Sequence, residues 1–226
     1  MVRMSLALAT ALCVTLTMAG GTFGWANEAQ RSAVDVSTLV LKAPQVGQGY
    51  RSAIIPGGSK VQGQVTLDLC GGGYRSEALR VQRIQRAYAR PGSPLQLSNE
   101  VVRYRSGGAA LAFRELKRRL THCPRGAVRM PEPGAPRVAF RLKPLQFSGL
   151  LPDSIAVQIH ATEASGGRTI NSIATYQVRR GILSGVYTYG GSLAAQKRLA
   201  LHASRQSAKN LSAGSSERIA SKLLML

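Results

Sequence analysis

The sequence predicts an α+β fold: a single domain built on an antiparallel sheet of about five to seven strands with two main helices. Three observations carry this. Apolar and polar residues alternate in several short runs closed by glycine-containing turns, the period of half-buried strands. A stretch after Gly107-Gly108 has helical spacing, and Ser192 is placed to cap a second helix. Strands and helices do not alternate in the βα order that a parallel nucleotide-binding sheet requires.

Residues 27–49 read as a polar lead-in with one helical turn, in which Lys42-Ala43-Pro44 ends the apolar run Leu39-Val40-Leu41. Val65, Leu67 and Leu69 alternate with Gln64, Thr66, Asp68 and Cys70, which predicts a strand broken by Gly71-Gly72-Gly73. Ser76–Leu79 suggests a helical turn, residues 80–89 a strand, Pro91-Gly92-Ser93-Pro94 a turn, and Val101–Tyr104 a short strand. Ala109, Ala112, Phe113, Leu116 and Leu120 then recur at helical spacing until Cys123-Pro124 stops the helix. Beyond a Pro/Gly loop, Val138, Phe140 and Leu142 alternate with Arg137, Arg141 and Lys143, and Ile155, Val157 and Ile159 mark the next strand. Ser165-Gly166-Gly167 is a hairpin turn, and residues 169–179 and 182–189 are strands joined at Arg180-Gly181. Gly190-Gly191 ends the sheet, and the second helix runs over about 193–211. These readings divide the chain into residues 1–26, a lead-in at 27–49, the α+β domain at 50–211, and a tail at 212–226 containing a short apolar helix.

Residues 1–26 have the form of an export signal. Arg3 precedes an uncharged apolar run from Met4 to Met18, and Gly24-Trp25-Ala26 meets the small-x-small rule for cleavage. The alternative, an uncleaved membrane anchor, has a strongly apolar part that is short for spanning a bilayer. Cleavage after Ala26 removes Cys13 and leaves Cys70 and Cys123 in a secreted or envelope-associated chain. A lone cysteine pair outside the cytoplasm predicts a disulfide, which contributes on the order of 4 kcal/mol for a loop of this length.

Charge is the strongest physical signal. The chain carries 30 Lys and Arg against 10 Asp and Glu, a formal +20. Residues 75–129 alone hold thirteen of the cations against three Glu. Such density favours anionic partners. Export argues against nucleic acid, and no RNA- or DNA-binding motif is present. An anionic envelope lipid or polymer is the alternative, with Arg80, Arg86 and Arg118 as the candidate anionic-ligand surface. Arg80, Arg86 and Arg90 share one face with Ile84 and Tyr88 if 80–90 is a regular strand.

Catalytic and cofactor signatures are absent. There is no H-E-x-x-H, no G-x-S-x-G and no cysteine pair at zinc spacing. His160 lies near Glu163 without a partner motif, and His122 is adjacent to Cys123, a poor chelating geometry, with Cys123 already assigned to the disulfide. Asp68, Glu77 and Glu100 show no spacing that selects a pair of facing acids. Gly71-Gly72-Gly73 lacks the following Lys-Ser/Thr of a phosphate cradle and reads as a tight turn. The residues imply no enzyme, no metal and no cofactor.

Three runs resemble a known family: TLDLCGGGYRSEALRVQRIQRAYA (Thr66 to Ala89), LSNEVVRYRSGGAALAFRELKRRLTHCP (Leu97 to Pro124) and YQVRRGILSGVYTYGG (Tyr176 to Gly191). They are similar to small secreted actinobacterial proteins akin to the extracytoplasmic sensor domain of PknH-type Ser/Thr kinases. The most specific elements are Asp68, Cys70, Ser76, Glu77 and Arg80, the S-N-E-V-V-R-Y run, and Cys123-Pro124. The resemblance covers most of residues 38–210. It implies an antiparallel sheet with helices forming a cleft for an unknown extracellular ligand. The chain departs from the kinase sensors in having no kinase domain, no transmembrane helix beyond the candidate signal anchor, and one cysteine pair where they have two. The function this implies is a secreted, non-enzymatic ligand-binding or interaction domain. The rivals are a lipid or anionic-polymer binding protein and a hydrolase with an unrecognised site.

Overall fold

In a computed structural model, the described residues are 34–223 apart from Pro133, with side chains described through residue 213. The expected signal at 1–26 lies outside them. One open antiparallel sheet of eight strands runs in the order β1-β2-β3-β8-β7-β6-β5-β4. Its strands are β1 (Arg51–Ile54), β2 (Arg80–Ala89), β3 (Gln96–Tyr104), β4 (Val128–Arg129), β5 (Arg137–Leu145), β6 (Ser154–Glu163), β7 (Thr169–Arg179) and β8 (Ile182–Tyr189). The helices are α1 (Ala43–Val46), α2 (Gly108–Thr121) and α3 (Leu193–Leu223). The α+β class holds, and the strand count exceeds the expected five to seven. The unforeseen strands, β1 and β4, are the two edges, too short for alternation to mark them.

Alternate residues of each strand point to opposite faces, so each helix takes its own half of the side chains. Ala112, Phe113 and Leu116 of α2 pack on Val102, Val157, Tyr176 and Leu183. On the other face, Leu199, Ala203, Ala208 and Leu211 of α3 lie among Ile84, Val101, Val186 and the chain before β1. The lead-in, from residue 34 onward, is therefore core rather than a polar approach: Val36, Leu39, Leu41 and Val46 are all buried. It is also fastened by polar bonds. The Leu41 amide donates to Asn99 Oδ1 at 2.9 Å, and the Tyr88 hydroxyl donates to the Leu41 carbonyl.

Two sequence expectations are corrected here. Residues 64–70 are not a strand, although Leu67 and Leu69 are buried as the alternation required. The reason is where the backbone donors go: the Thr66 and Leu67 amides both donate to the Glu77 carboxylate, at 2.9 and 3.2 Å, instead of to a neighbouring strand. The second helix does not stop near residue 211 but continues unbroken to Leu223.

Cys70 and Cys123 are bonded, with Cα atoms 5.5 Å apart. The bridge ties the residues just after α2 to a turn in which Cys70, Gly71, Gly72 and Gly73 all have positive φ. Glycine is needed there twice over. Its left-handed backbone is strained for other residues, and a Cβ on Gly71 would sit 2.8 Å from the Val128 side chain of β4. At the β7–β8 hairpin, Arg180 and Gly181 are both left-handed, the form of a tight two-residue turn.

Candidate binding cleft

α2 covers only part of its face of the sheet. Over β2, β3 and β8 the covering is the irregular chain from residue 55 to 68, and between that chain and the strands lies a cleft of about 680 Å³. Asp68, Gln85, Ser98, Glu100, Glu132 and Tyr187 are among the residues that line it.

Buried arginines hold this covering in place. Arg83, on β2, pairs with Glu100, on β3, with both side chains almost fully buried. Its guanidinium also donates to the carbonyls of Gly57 and Gly58, at 3.1 and 3.3 Å, and to Gln85 Oε1 at 2.7 Å. Arg80 pairs with Glu77 at 3.2 Å and donates to the carbonyls of Gln64 and Val61, at 2.6 and 3.1 Å. Thr66 links the two pairs: its hydroxyl accepts from Arg80 Nη1 and donates to Glu100 Oε1, each at 2.9 Å. A buried charge is tolerated only when paired and hydrogen-bonded, and here both conditions are met. Glu115 of α2 does similar work nearby, accepting the Arg75 and Ser76 amides that open a 3₁₀ turn over Arg75–Leu79.

The acids at the floor differ in availability. Burial pushes the Glu100 carboxyl up against the opposing pull of Arg83. Asp68 is reached by solvent inside the concavity, and enclosure there, with Glu132 nearby, pushes its carboxyl up to about 6. Neither Asp68 nor Glu132 forms an ion pair among the described residues. Tyr187 closes one wall. Its ring packs edge-on to Tyr176 at 5.7 Å and lies over Gly185, where a Cβ would come within 2.5 Å of the Tyr187 hydroxyl. Enclosure raises the pKa of that phenol far above its ordinary value.

The three arginines singled out from the sequence are not brought together. Arg80 is a structural clamp, nearly buried. A register shift between Arg80 and Gln82 places Arg80 opposite Tyr104, on the cleft face, whereas Arg86 pairs with Asn99 and points to the α3 face. Arg118 is exposed on α2. None of the three lines the cleft. Asp68, Glu100 and Glu132 do, and they come from three separate segments. One sequence signal did exist: Glu100 occupies an inward position of β3, in step with the buried Ser98, Val102 and Tyr104.

His160 Nδ1 lies 2.9 Å from Asn171 Oδ1 across β6 and β7, and Glu163 pairs with Arg168, so the two do not converge. Among the described residues, no cluster of three or more His, Cys, Asp or Glu is placed to hold a metal. No described helix is long and apolar enough to cross a membrane.

Fold and cleft together define an α+β domain with one antiparallel sheet, a helix on each face and an open cleft beneath an irregular covering chain. The chain is similar to the extracellular domain of PknH from Mycobacterium tuberculosis, at 13% identity over 76% of this chain and 94% of that one, with a TM-score of 0.48. It is also similar to a putative uncharacterized protein from Mycobacterium smegmatis, at 11% identity over 73% and 97% of the two chains, with a TM-score of 0.33. The chain matches no protein-family model and no curated protein sequence.

Proposed function

We propose that the protein is an extracytoplasmic, non-enzymatic binding domain whose cleft takes a small polar ligand rich in hydrogen-bond donors, such as hydroxyls or an amine. The cleft carries this reading: about 680 Å³ of space over the sheet, with Asp68 and Glu132 facing it free of ion pairs. Cavities of this size accommodate small molecules, and a few convergent polar groups orient them. Carboxylates accept hydrogen bonds and attract cations, so the favoured ligand is a donor rather than the anion expected from net charge. The disulfide and the signal-like N terminus support a place outside the cytoplasm.

The test is capture. The purified exported protein is incubated with an envelope extract, and the co-purifying small molecules are identified by mass spectrometry. An Asp68→Asn/Glu132→Gln variant serves as the control. The expected result is a donor-rich molecule held by the parent and lost by the variant. Equal retention by the variant, or capture of anions alone, would overturn the reading. Chemical conversion of the captured molecule would replace binding with catalysis.

A further inference from the structure

We infer that the outer face of α3 is a second binding surface, separate from the cleft, for a linear phosphate-bearing polyanion. Arg198, His202, Arg205 and Lys209 are all exposed on this helix. Their spacing of four, three and four residues puts them within about 60° of one another around the helix, along roughly 16 Å of its length. They form a line on one face, unlike the consecutive Lys117, Arg118 and Arg119 of α2, which fan around their helix.

Exposed helix cations ordinarily meet acids three or four residues away. None is available here, because the sequence holds no Asp or Glu from residue 164 to residue 216. The stripe is flanked by two shallow depressions that share His202. One, of about 610 Å³, is lined by Leu150, Leu151 and Ala208 together with Arg205 and Lys209. The other, of about 440 Å³, is lined by Val46, Tyr50 and Leu95 together with Arg90 and Arg198. No carboxylate lines either one. Arg205 is held in place by Ser148, donating to its carbonyl and hydroxyl at 2.9 and 2.8 Å. A guanidinium fixed by neutral partners keeps its full charge and loses little freedom on binding an anion.

Shape selects the polymer over the bilayer. The apolar residues beside the stripe are recessed: Leu151, Val46, Leu199 and Ala208 are all buried. The large exposed apolar side chains among the described residues are Ile54, Val81 and Ile170, none of them on α3. Over residues 198–209 the face therefore presents no exposed apolar wedge to lipids, whereas the row of Arg198, Arg205 and Lys209 matches a chain whose anionic groups recur along its length.

The experiment uses the exported chain with long-chain inorganic polyphosphate as the probe, read by fluorescence anisotropy over a range of salt. One variant carries Arg198→Gln/Arg205→Gln/Lys209→Gln. A second loses the same charge elsewhere, at the exposed Arg114→Gln/Arg118→Gln/Arg125→Gln. The α3 variant is expected to bind at least about tenfold more weakly, and its log-log salt slope should shrink by about two, since each neutralised charge of a flexible strand contributes about 0.7. The second variant should stay within about twofold of the parent. Circular dichroism confirms that both variants fold. Equal losses in the two variants would show diffuse attraction and overturn the site. Tighter binding to polyglutamate than to polyphosphate would overturn the phosphate assignment. Binding to phosphatidylglycerol vesicles that polyphosphate cannot displace would transfer the face to lipid and overturn the polymer.

Discussion

Under α3 the sheet buries neutral hydroxyls and amides, while beneath residues 55–68 it buries charges. On the α3 side, Ser204 Oγ meets Thr175 Oγ1 at 2.5 Å, Ser207 Oγ meets Ser184 Oγ at 2.8 Å, and Gln177 donates to the Ser204 carbonyl at 2.8 Å. The helix residues in this contact are small, with Ala200, Ala203, Ser204 and Ser207 all fully buried, so α3 lies close to the strands and seals them. On the cleft side, Arg80 and Arg83 reach up to the chain that covers them. Long charged side chains hold that cover away from the sheet and leave space beneath it. A sealed face can use neutral bonds worth about 1 kcal/mol each, whereas a propped one depends on pairs whose loss is far more costly.

The largest effect should come from cutting one prop. Glu100→Ala leaves the Arg83 guanidinium buried without its carboxylate and should cost about 3–5 kcal/mol in urea denaturation. Replacing both partners, as Arg83→Met/Glu100→Leu, should cost much less than the single change, since no charge is left unpaired. If the double variant is as unstable as the single one, the pair is not what supports the cover.

Next in size is Gly185→Ala. The added methyl meets the Tyr187 hydroxyl, and the ring cannot swing away freely because Tyr176 packs against it. Overpacking of this kind costs about 1–3 kcal/mol and should displace the cleft wall. Ligand capture should therefore fall further than stability alone predicts. Ser204→Ala, on the sealed face, should cost only about 1–2 kcal/mol by leaving the Thr175 hydroxyl short of a partner, and should leave capture unchanged. A loss of capture in Ser204→Ala would mean that the two faces are coupled.

The same contrast explains what was legible in the sequence. Strands β5 and β6 and helix α2 follow from periodicity, while β7 and β8, whose central residues are buried on both faces, follow from their apolar runs bounded by glycine turns. The Cys70–Cys123 bridge follows from there being a single pair of cysteines after the signal-like segment. The 64–70 segment misled: Leu67 and Leu69 are buried as expected, but Thr66 and Cys70 are buried too, and its backbone bonds go to the Glu77 side chain. Periodicity reports burial and is silent on which acceptor an amide finds. The cleft was hidden for a related reason. Asp68, Glu100 and Glu132 meet only once the sheet and its cover are assembled, and the basic composition pointed toward Arg80, which the fold uses as a clamp, and toward Arg86 and Arg118, which lie away from the cleft.

The smallest expected effect isolates the one floor acid that is both open to solvent and clearly perturbed. Asp68 has its carboxyl raised to about 6 from an ordinary 3.8, chiefly by enclosure and secondarily by Glu132. Between those values the native chain holds a proton that the unfolded chain has released, so this group favours the fold increasingly as pH falls through 6 toward 4. Above about 6 the carboxylate is charged in both states, and its enclosure then weighs against the fold. Glu100 and Glu77 act in the same direction, so the parent alone cannot separate the three, and Asp35, whose carboxyl is lowered by its bonds to Ser37, acts oppositely only below the usual carboxylate range. The informative quantity is the difference between the parent and Asp68→Asn in urea midpoint at pH 5 and at pH 7.5. The variant's gain over the parent should be larger at pH 7.5 than at pH 5 and should vanish only as pH falls toward 4, all by a small margin because solvent reaches the group and screens it. Parallel profiles at both pH values would mean that the floor of the cleft is as well hydrated as the open surface, and the contrast between a propped face and a sealed one would then rest on Arg83 and Glu100 alone.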